Sequence, residues 1–175
     1  AHKGHFGRLL TVGANADMPG SLRLTSEAAL RTGAALVRAY CHTDSRLSIS
    51  MGHPELMLAS EQLSTHLNWS SCLAIGPGLG TDDWATGTFS QLMSHLESNK
   101  LPCVIDADGL NLLADSSRHA NTLLCPKRSV ITPHPGEAAR LLNCTVPEIE
   151  QDRLKAAQSL AKRYNTTCVL KGAGS

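Results

Sequence analysis

Hydrophobic residues along this chain come in short runs, each closed by a Gly, Asp or Pro turn and followed by apolar positions spaced for a helix. The runs predict strands over residues 8–12, 36–40, 72–75, 102–105, 129–131 and 167–170; the spaced stretches predict helices over 20–32, 82–97, 136–142 and 147–164. The last helix has the clearest pattern, with Leu154, Ala157, Ala161 and Tyr164 on one face and Glu148, Glu150, Lys155 and Lys162 on the others. Its start is marked by Thr145 and Glu148 in capping-box register and by Pro147 in the first turn. Residues 41–71 show no pattern that separates helix from strand.

Runs that are apolar throughout, rather than alternating, predict strands covered on both faces, and their alternation with helices predicts parallel crossovers. The expected fold is therefore α/β, a three-layer αβα sandwich on a mainly parallel sheet. No internal repeat, low-complexity tract or linker interrupts the 175 residues, which predicts one domain over 1–175. At that length folding buries roughly two thirds of the unfolded surface. With only two Phe, two Tyr and two Trp, the core must be aliphatic.

A net charge of +1 with 42% hydrophobic residues gives no electrostatic reason for nucleic acid or an acidic membrane as partner, and favours a small-molecule role. No apolar run approaches the length of a membrane span, and the opening AHKGHFGRLL lacks the apolar stretch of a signal peptide. The cysteines Cys41, Cys72, Cys103, Cys125, Cys144 and Cys168 form no CxxC pair, as expected of buried thiols in a reducing cytoplasm. Sequons at Asn68, Asn143 and Asn165 then count as chance matches.

In an open parallel sheet, ligands collect at the carboxyl ends of the strands, because the βα turns empty onto that edge. The unusual residues of this chain fall there. GPGLG (76–80) follows CLAI, DADGLN (106–111) follows PCVI, TPHPGE (132–137) follows SVI, KGAGS (171–175) follows TCVL, and VGANADMPGS follows RLLT. Gly76, Gly78 and Gly80 suit a phosphate approached by backbone N–H groups, or simply a tight turn; neither GxGxxG nor GxxxxGK[ST] is present. Asp106 and Asp108 lie two apart, so an extended backbone puts both carboxylates on one side, to hold Mg2+ through water or a ligand hydroxyl. Alternatively Asp108 caps the following helix and Asp106 satisfies nearby backbone. His134 and Glu137 flank a Pro-Gly corner that presents both to one cleft, although a histidine is commonly structural and a glutamate in a first helical turn complements the helix dipole. Lys171 stands where it either neutralises a phosphate or faces solvent. No HExxH, GxSxG or catalytic-cysteine signature occurs.

Taken jointly, HKGHFGRLLTVG, MPGSLRLTSEAALRTGAALV, AIGPGLG, VIDADGLNLL, ITPHPGEAARLL and VLKGAG give the whole chain the order and spacing of a known family. It resembles the ADP- or ATP-dependent NAD(P)H-hydrate dehydratases, which are ribokinase-like, and most of all the carboxy-terminal half of a bacterial repair enzyme whose other half is an epimerase. The resemblance implies a substrate, hydrated NADH or NADPH, whose ring hydroxyl is phosphorylated from ADP or ATP with Mg2+; loss of phosphate then restores the double bond. Such chemistry depends on positioning and charge neutralisation. Residue by residue, the resemblance implies hydrate contacts for Ser21, Gly78, Gly80, Asn111 and His134. It implies adenine-nucleotide contacts for Lys171, Gly172, Ala173, Gly174 and Ser175, and catalytic roles for Asp106 and Glu137, with Glu137 also organising metal through water. It further implies a homo-oligomer and allows for a fused epimerase domain in the full-length protein.

The chain departs from the family pattern at Ser21, where members usually have alanine, and at Gly13-Ala14, where they usually have a glycine pair. It is also expected to be truncated at its carboxy terminus, ahead of a Gly-rich loop whose aspartate serves the family as base. Two other readings stay open. One is a ribokinase-like kinase of a vitamin-precursor hydroxyl, though such kinases generally carry asparagine at the histidine of TPHPGE. The other is a catalytically inactive domain that binds adenine nucleotide.

Overall fold

A computed structural model describes residues 7–59, 62–119 and 125–172. The chain runs β1 (Arg8–Val12), α1 (Pro19–Arg31), β2 (Leu36–Tyr40), a 3-10 turn (Thr43–Ser45), α2 (Arg46–Ser50), β3 (Met57–Leu58), α3 (Leu63–Trp69), β4 (Cys72–Ile75) and α4 (Asp83–Asn99). It continues through β5 (Cys103–Ile105), α5 (Asp108–His119), β6 (Ser129–Ile131), α6 (Pro135–Leu142), α7 (Val146–Gln151), α8 (Arg153–Tyr164) and β7 (Thr167–Cys168). The strands form one seven-stranded sheet in the order β3-β2-β1-β4-β5-β6-β7, every neighbouring pair parallel. This bears out the α/β fold with helices on both faces of the sheet.

The direction of winding reverses between β1 and β4, the switch point outside whose carboxyl ends an open α/β sheet places its ligand crevice. Register makes the rim level: Val12 pairs with Tyr40 and Ile75, Ile75 with Ile105, Ile105 with Ile131, and Ile131 with Cys168. Turns leaving these strands therefore start on one line, about 24 Å long from β2 to β7 at ~4.8 Å per strand.

Side chains of β1 and β2 alternate between the two faces. Val37 and Ala39 join Leu22 of α1 and Ile49 of α2 in one apolar cluster. Leu10, Val12, Leu73, Ile75, Cys103, Ile105 and Ile131 pack on the other face with Leu67, Phe89, Leu92, Leu113, Leu160 and Tyr164. The expectation that every strand is covered on both sides fails at β5, where Val104 is 41% exposed between buried Cys103 and Ile105.

The helix predicted over 147–164 is two helices. Asp152 leaves the helical region at φ −148°, and its side chain accepts from the Lys155 N–H at 2.9 Å to cap α8. The buried stripe is Ala156, Leu160 and Tyr164, whereas Leu154 is 72% exposed. The capping register at Thr145 holds, the Glu148 carboxylate accepting from both its N–H and its Oγ1 at 2.7 Å. Helix α5 escaped the pattern because it starts inside the DADG turn. Asn143 and Asn165 end α6 and α8 in the left-handed conformation, which gives two of the sequon asparagines a structural task. All six cysteines are free, and burial pushes the Cys103 and Cys125 thiols up to about 12. No described helix is long and apolar enough to cross a membrane.

Candidate functional site

The crevice is closed at its base by backbone. From the β1 turn, Gly13 N–H donates to Tyr40 O at 3.1 Å, Ala14 N–H to Pro77 O at 3.0 Å and Asn15 N–H to Gly78 O at 2.6 Å. A Cβ on Gly13 would lie 2.1 Å from Pro77 O, and one on Gly76, whose φ is +118°, would lie 1.9 Å from Asp106 O. These glycines thus let three turns touch. The next residue after Gly13 is Ala14, held at φ +51° with its side chain fully buried. Ser21, on the first turns of α1, comes up beside Gly78, a Cβ on which would lie 3.1 Å from that of Ser21.

Asn15 and Asp82 fasten the far side of the GPGLG loop. Asn15 Nδ2 donates to Leu79 O at 3.1 Å and to Asp82 Oδ2 at 2.9 Å, while Asp82 Oδ1 caps α4 by accepting from Ala85 N–H at 2.9 Å. The Ala85 N–H first, and then the Asn15 amide, hold the Asp82 carboxyl below its ordinary value of 3.8.

Asp106 and Asp108 do not share one side. Ala107 between them takes φ +50°, so the chain turns rather than extends, and Asp108 becomes the first residue of α5. Asp106 Oδ1 reaches Lys171 Nζ at 2.5 Å. Asp108 instead accepts from Gly80 N–H at 2.9 Å and from Asn111 Nδ2 at 3.1 Å, and Arg140 donates to Asn111 Oδ1 at 2.8 Å. Gly80 N–H therefore already holds a carboxylate.

The corner after β6 also differs from expectation. His134 is half-exposed, and its Nδ1 accepts from Gly136 N–H at 3.0 Å, capping α6. Glu137 is turned inward and only 5% exposed; Oε2 accepts from His134 N–H at 2.8 Å and Oε1 lies 3.2 Å from His134 Nε2. Both carboxylate oxygens are used within the corner, so Glu137 does not reach into the cleft beside His134.

Lys171 follows β7, and its N–H donates to Pro133 O at 2.8 Å, tying this turn to the histidine corner. Behind it, Arg153 donates to Leu170 O at 3.2 Å and Lys171 O at 3.1 Å and pairs with Glu150 at 2.9 Å. A Cβ on Gly172 would lie 2.3 Å from the Arg153 guanidinium. Ala173, Gly174 and Ser175 lie outside the described residues.

The rim thus brings together Ser21, Gly78, Gly80, Asp106, Asn111, His134 and Lys171. Sequence reasoning missed Asn15, Asp82, Arg140 and Arg153. Asp82 was legible as a helix start; the two arginines sit mid-helix or at a helix start with nothing local to single them out. Among the described residues no three His, Cys, Asp or Glu side chains gather to hold a metal. With Asp106 on Lys171 and Glu137 on His134, these donors do not fit a magnesium ion held by this part of the chain alone.

The family model described as NAD(P)H-hydrate dehydratase matches residues 9–175. The chain belongs to the NAD(P)H-hydrate dehydratase family. It is 43% identical over its whole length to a bifunctional NAD(P)H-hydrate repair enzyme of Escherichia coli strain K12, of which it spans 33%. It is 36% identical, over 98% of its length and 58% of the relative's, to an ADP-dependent (S)-NAD(P)H-hydrate dehydratase of Neisseria meningitidis. Among solved structures, an ADP/ATP-dependent NAD(P)H-hydrate dehydratase from Bacillus subtilis, co-crystallised with ATP/Mg2+, aligns with a TM-score of 0.77 at 27% identity, covering 98% of this chain and 60% of that one. The chain therefore spans about one third of the length of the bifunctional relatives it matches.

Proposed function

We propose that this domain carries the ADP- or ATP-dependent dehydration of hydrated NADH or NADPH. The ring hydroxyl attacks the terminal phosphoryl group of the nucleotide, giving a phosphate ester and AMP or ADP and releasing the hydroxyl proton. Departure of phosphate together with a ring proton restores the double bond. The observation that carries the reading is the Lys171–Asp106 contact, which sets an ammonium at the level rim between the histidine corner and the GPGLG crevice.

Each residue has a task in this reading. Lys171 and the Gly172 backbone receive the nucleotide phosphates, with Ala173, Gly174 and Ser175 assigned the same task by resemblance. Asp106 holds the ammonium in place until phosphate replaces it. Ser21, Gly78, Gly80 and Asn111 line the hydrate's half of the crevice, and His134 contacts it from the corner. Glu137 acts through His134, as a positioning residue. Magnesium, when it accompanies the nucleotide, neutralises charge on the phosphates. An epimerase partner domain accords with the bifunctional relatives and a cytoplasmic setting with the free thiols; both belong to the same proposal, as does a homo-oligomer, which rests on the resemblance alone.

The test is to incubate the protein with chemically hydrated NADH and to follow the return of the reduced-nicotinamide absorbance with ADP and ATP side by side. Recovery that depends on nucleotide supports the reading. A phosphorylated hydrate that never eliminates phosphate makes the protein a kinase, and nucleotide binding without any change in hydrate makes it a binding domain; either overturns it.

A further inference from the structure

Arg140, Asn111, Asp108 and Gly80 form a hydrogen-bonded line from α6 through α5 to the GPGLG loop, and its direction is fixed by chemistry. Arginine has only donors, so the Asn111 atom that meets Arg140 is the amide oxygen, at 2.8 Å. That leaves Nδ2 to donate to Asp108 Oδ1 at 3.1 Å, which in turn holds Asp108 so that Oδ2 accepts from Gly80 N–H at 2.9 Å. Removing the guanidinium frees the amide to flip, and a flipped amide would set its oxygen against a carboxylate. Arg140 itself is exposed and pairs with no carboxylate among the described residues, so packing and ion pairing do not account for its place.

We propose that Arg140 is a positioning residue that sets the shape of the GPGLG loop, and with it the hydrate's half of the site, by orienting Asn111 and Asp108. The inference rests on the function proposed above for the rim, but one of its readouts does not. In R140M, which keeps the aliphatic stem, the Gly80 amide is expected to exchange with solvent about tenfold faster than in the unaltered chain, with R140K restoring slow exchange. In steady-state assays of the full chain, the KM for hydrated NADH rises about tenfold in R140M while the KM for ADP stays within about twofold. In a D108N background, R140M should add nothing further, because the line is already cut.

Unchanged Gly80 exchange in R140M overturns the proposal. So does an equal loss toward hydrate and ADP accompanied by a lower melting temperature, which is what a purely structural arginine would give. If the unaltered protein fails to restore hydrated NADH at all, the functional reading falls, and the Gly80 exchange still decides whether the line exists.

Discussion

Lys171 Nζ lies 2.5 Å from Asp106 Oδ1, joining the ends of β7 and β5 across the turn that leaves β6. Both side chains are partly exposed, at 42% and 32%, so the pair is worth no more than about 1 kcal/mol to stability. Lys171→Met is therefore expected to move the melting temperature by only ~2–4 °C. Turnover with ADP or ATP should fall on the order of 100-fold, because a donor aimed at developing phosphate charge has been lost. Thermal melts and nucleotide-dependent kinetics on one preparation check both halves; full activity with a lowered melting point would reverse the assignment.

His134 has two tasks, a cap and a proposed contact with hydrate, and two substitutions separate them. His134→Ala removes the Nδ1 acceptor for Gly136 N–H and should cost about 1 kcal/mol of stability. His134→Asn keeps an acceptor of good capping character and should melt near the unaltered protein. Both should raise the KM for hydrated NADH by about tenfold. If asparagine restores affinity as well as stability, the imidazole contributes only its cap.

The strands β1, β2, β4 and β6 were legible to the residue because each is a short apolar run with a turn residue behind it, and in a parallel sheet nothing else is needed to place them. The pattern failed where the deciding partner is distant in sequence. Leu154 looked like the core position of a long helix, but Asp152 breaks that helix and rotates Leu154 outward. Of the site, the turns were visible because Gly, Pro and Asp restrict backbone locally, so Gly80, Asp106, His134 and Lys171 could be placed on one rim. Their pairings were not visible. Asp106 meets Lys171 across 65 residues and Asn15 meets Asp82 across 67, and a left-handed Ala107 that sends Asp106 and Asp108 to different partners has no signature of its own.

Two glycines with opposite surroundings test the close-packed base of the crevice. Gly76→Ala places a methyl 1.9 Å from Asp106 O at φ +118°, so backbone must shift, and a loss of about 3 kcal/mol or more is expected. Gly87 lies in the exposed face of α4 with nothing within 4 Å of a built Cβ. Gly87→Ala should therefore stabilise by about 0.5–1 kcal/mol through helix propensity alone. Urea midpoints of the two variants should move in opposite directions; equal small shifts would mean that the turns at Gly76 do not press on one another.

Asp82 couples the crevice to pH. The Ala85 N–H and the Asn15 amide both favour the ionised carboxyl and hold it below its ordinary value of 3.8. For a group whose pKa is lowered by folding, the stabilisation is complete above the unfolded value and is lost as pH falls through the folded one. Asp82→Asn keeps a capping oxygen but carries no charge, so it should be less stable than the unaltered protein at about pH 7, with the gap narrowing as pH falls below about 4. Urea midpoints across that range measure the gap, and a gap that stays constant would rule out the Asp82 charge as its source. Because Asn15 Nδ2 also donates to Leu79 O and Oδ1 accepts from Ala16 N–H, the same protonation weakens one of the three hydrogen bonds of the Asn15 amide. Weakened hydrate binding should then appear in the same acid range, before the domain as a whole unfolds.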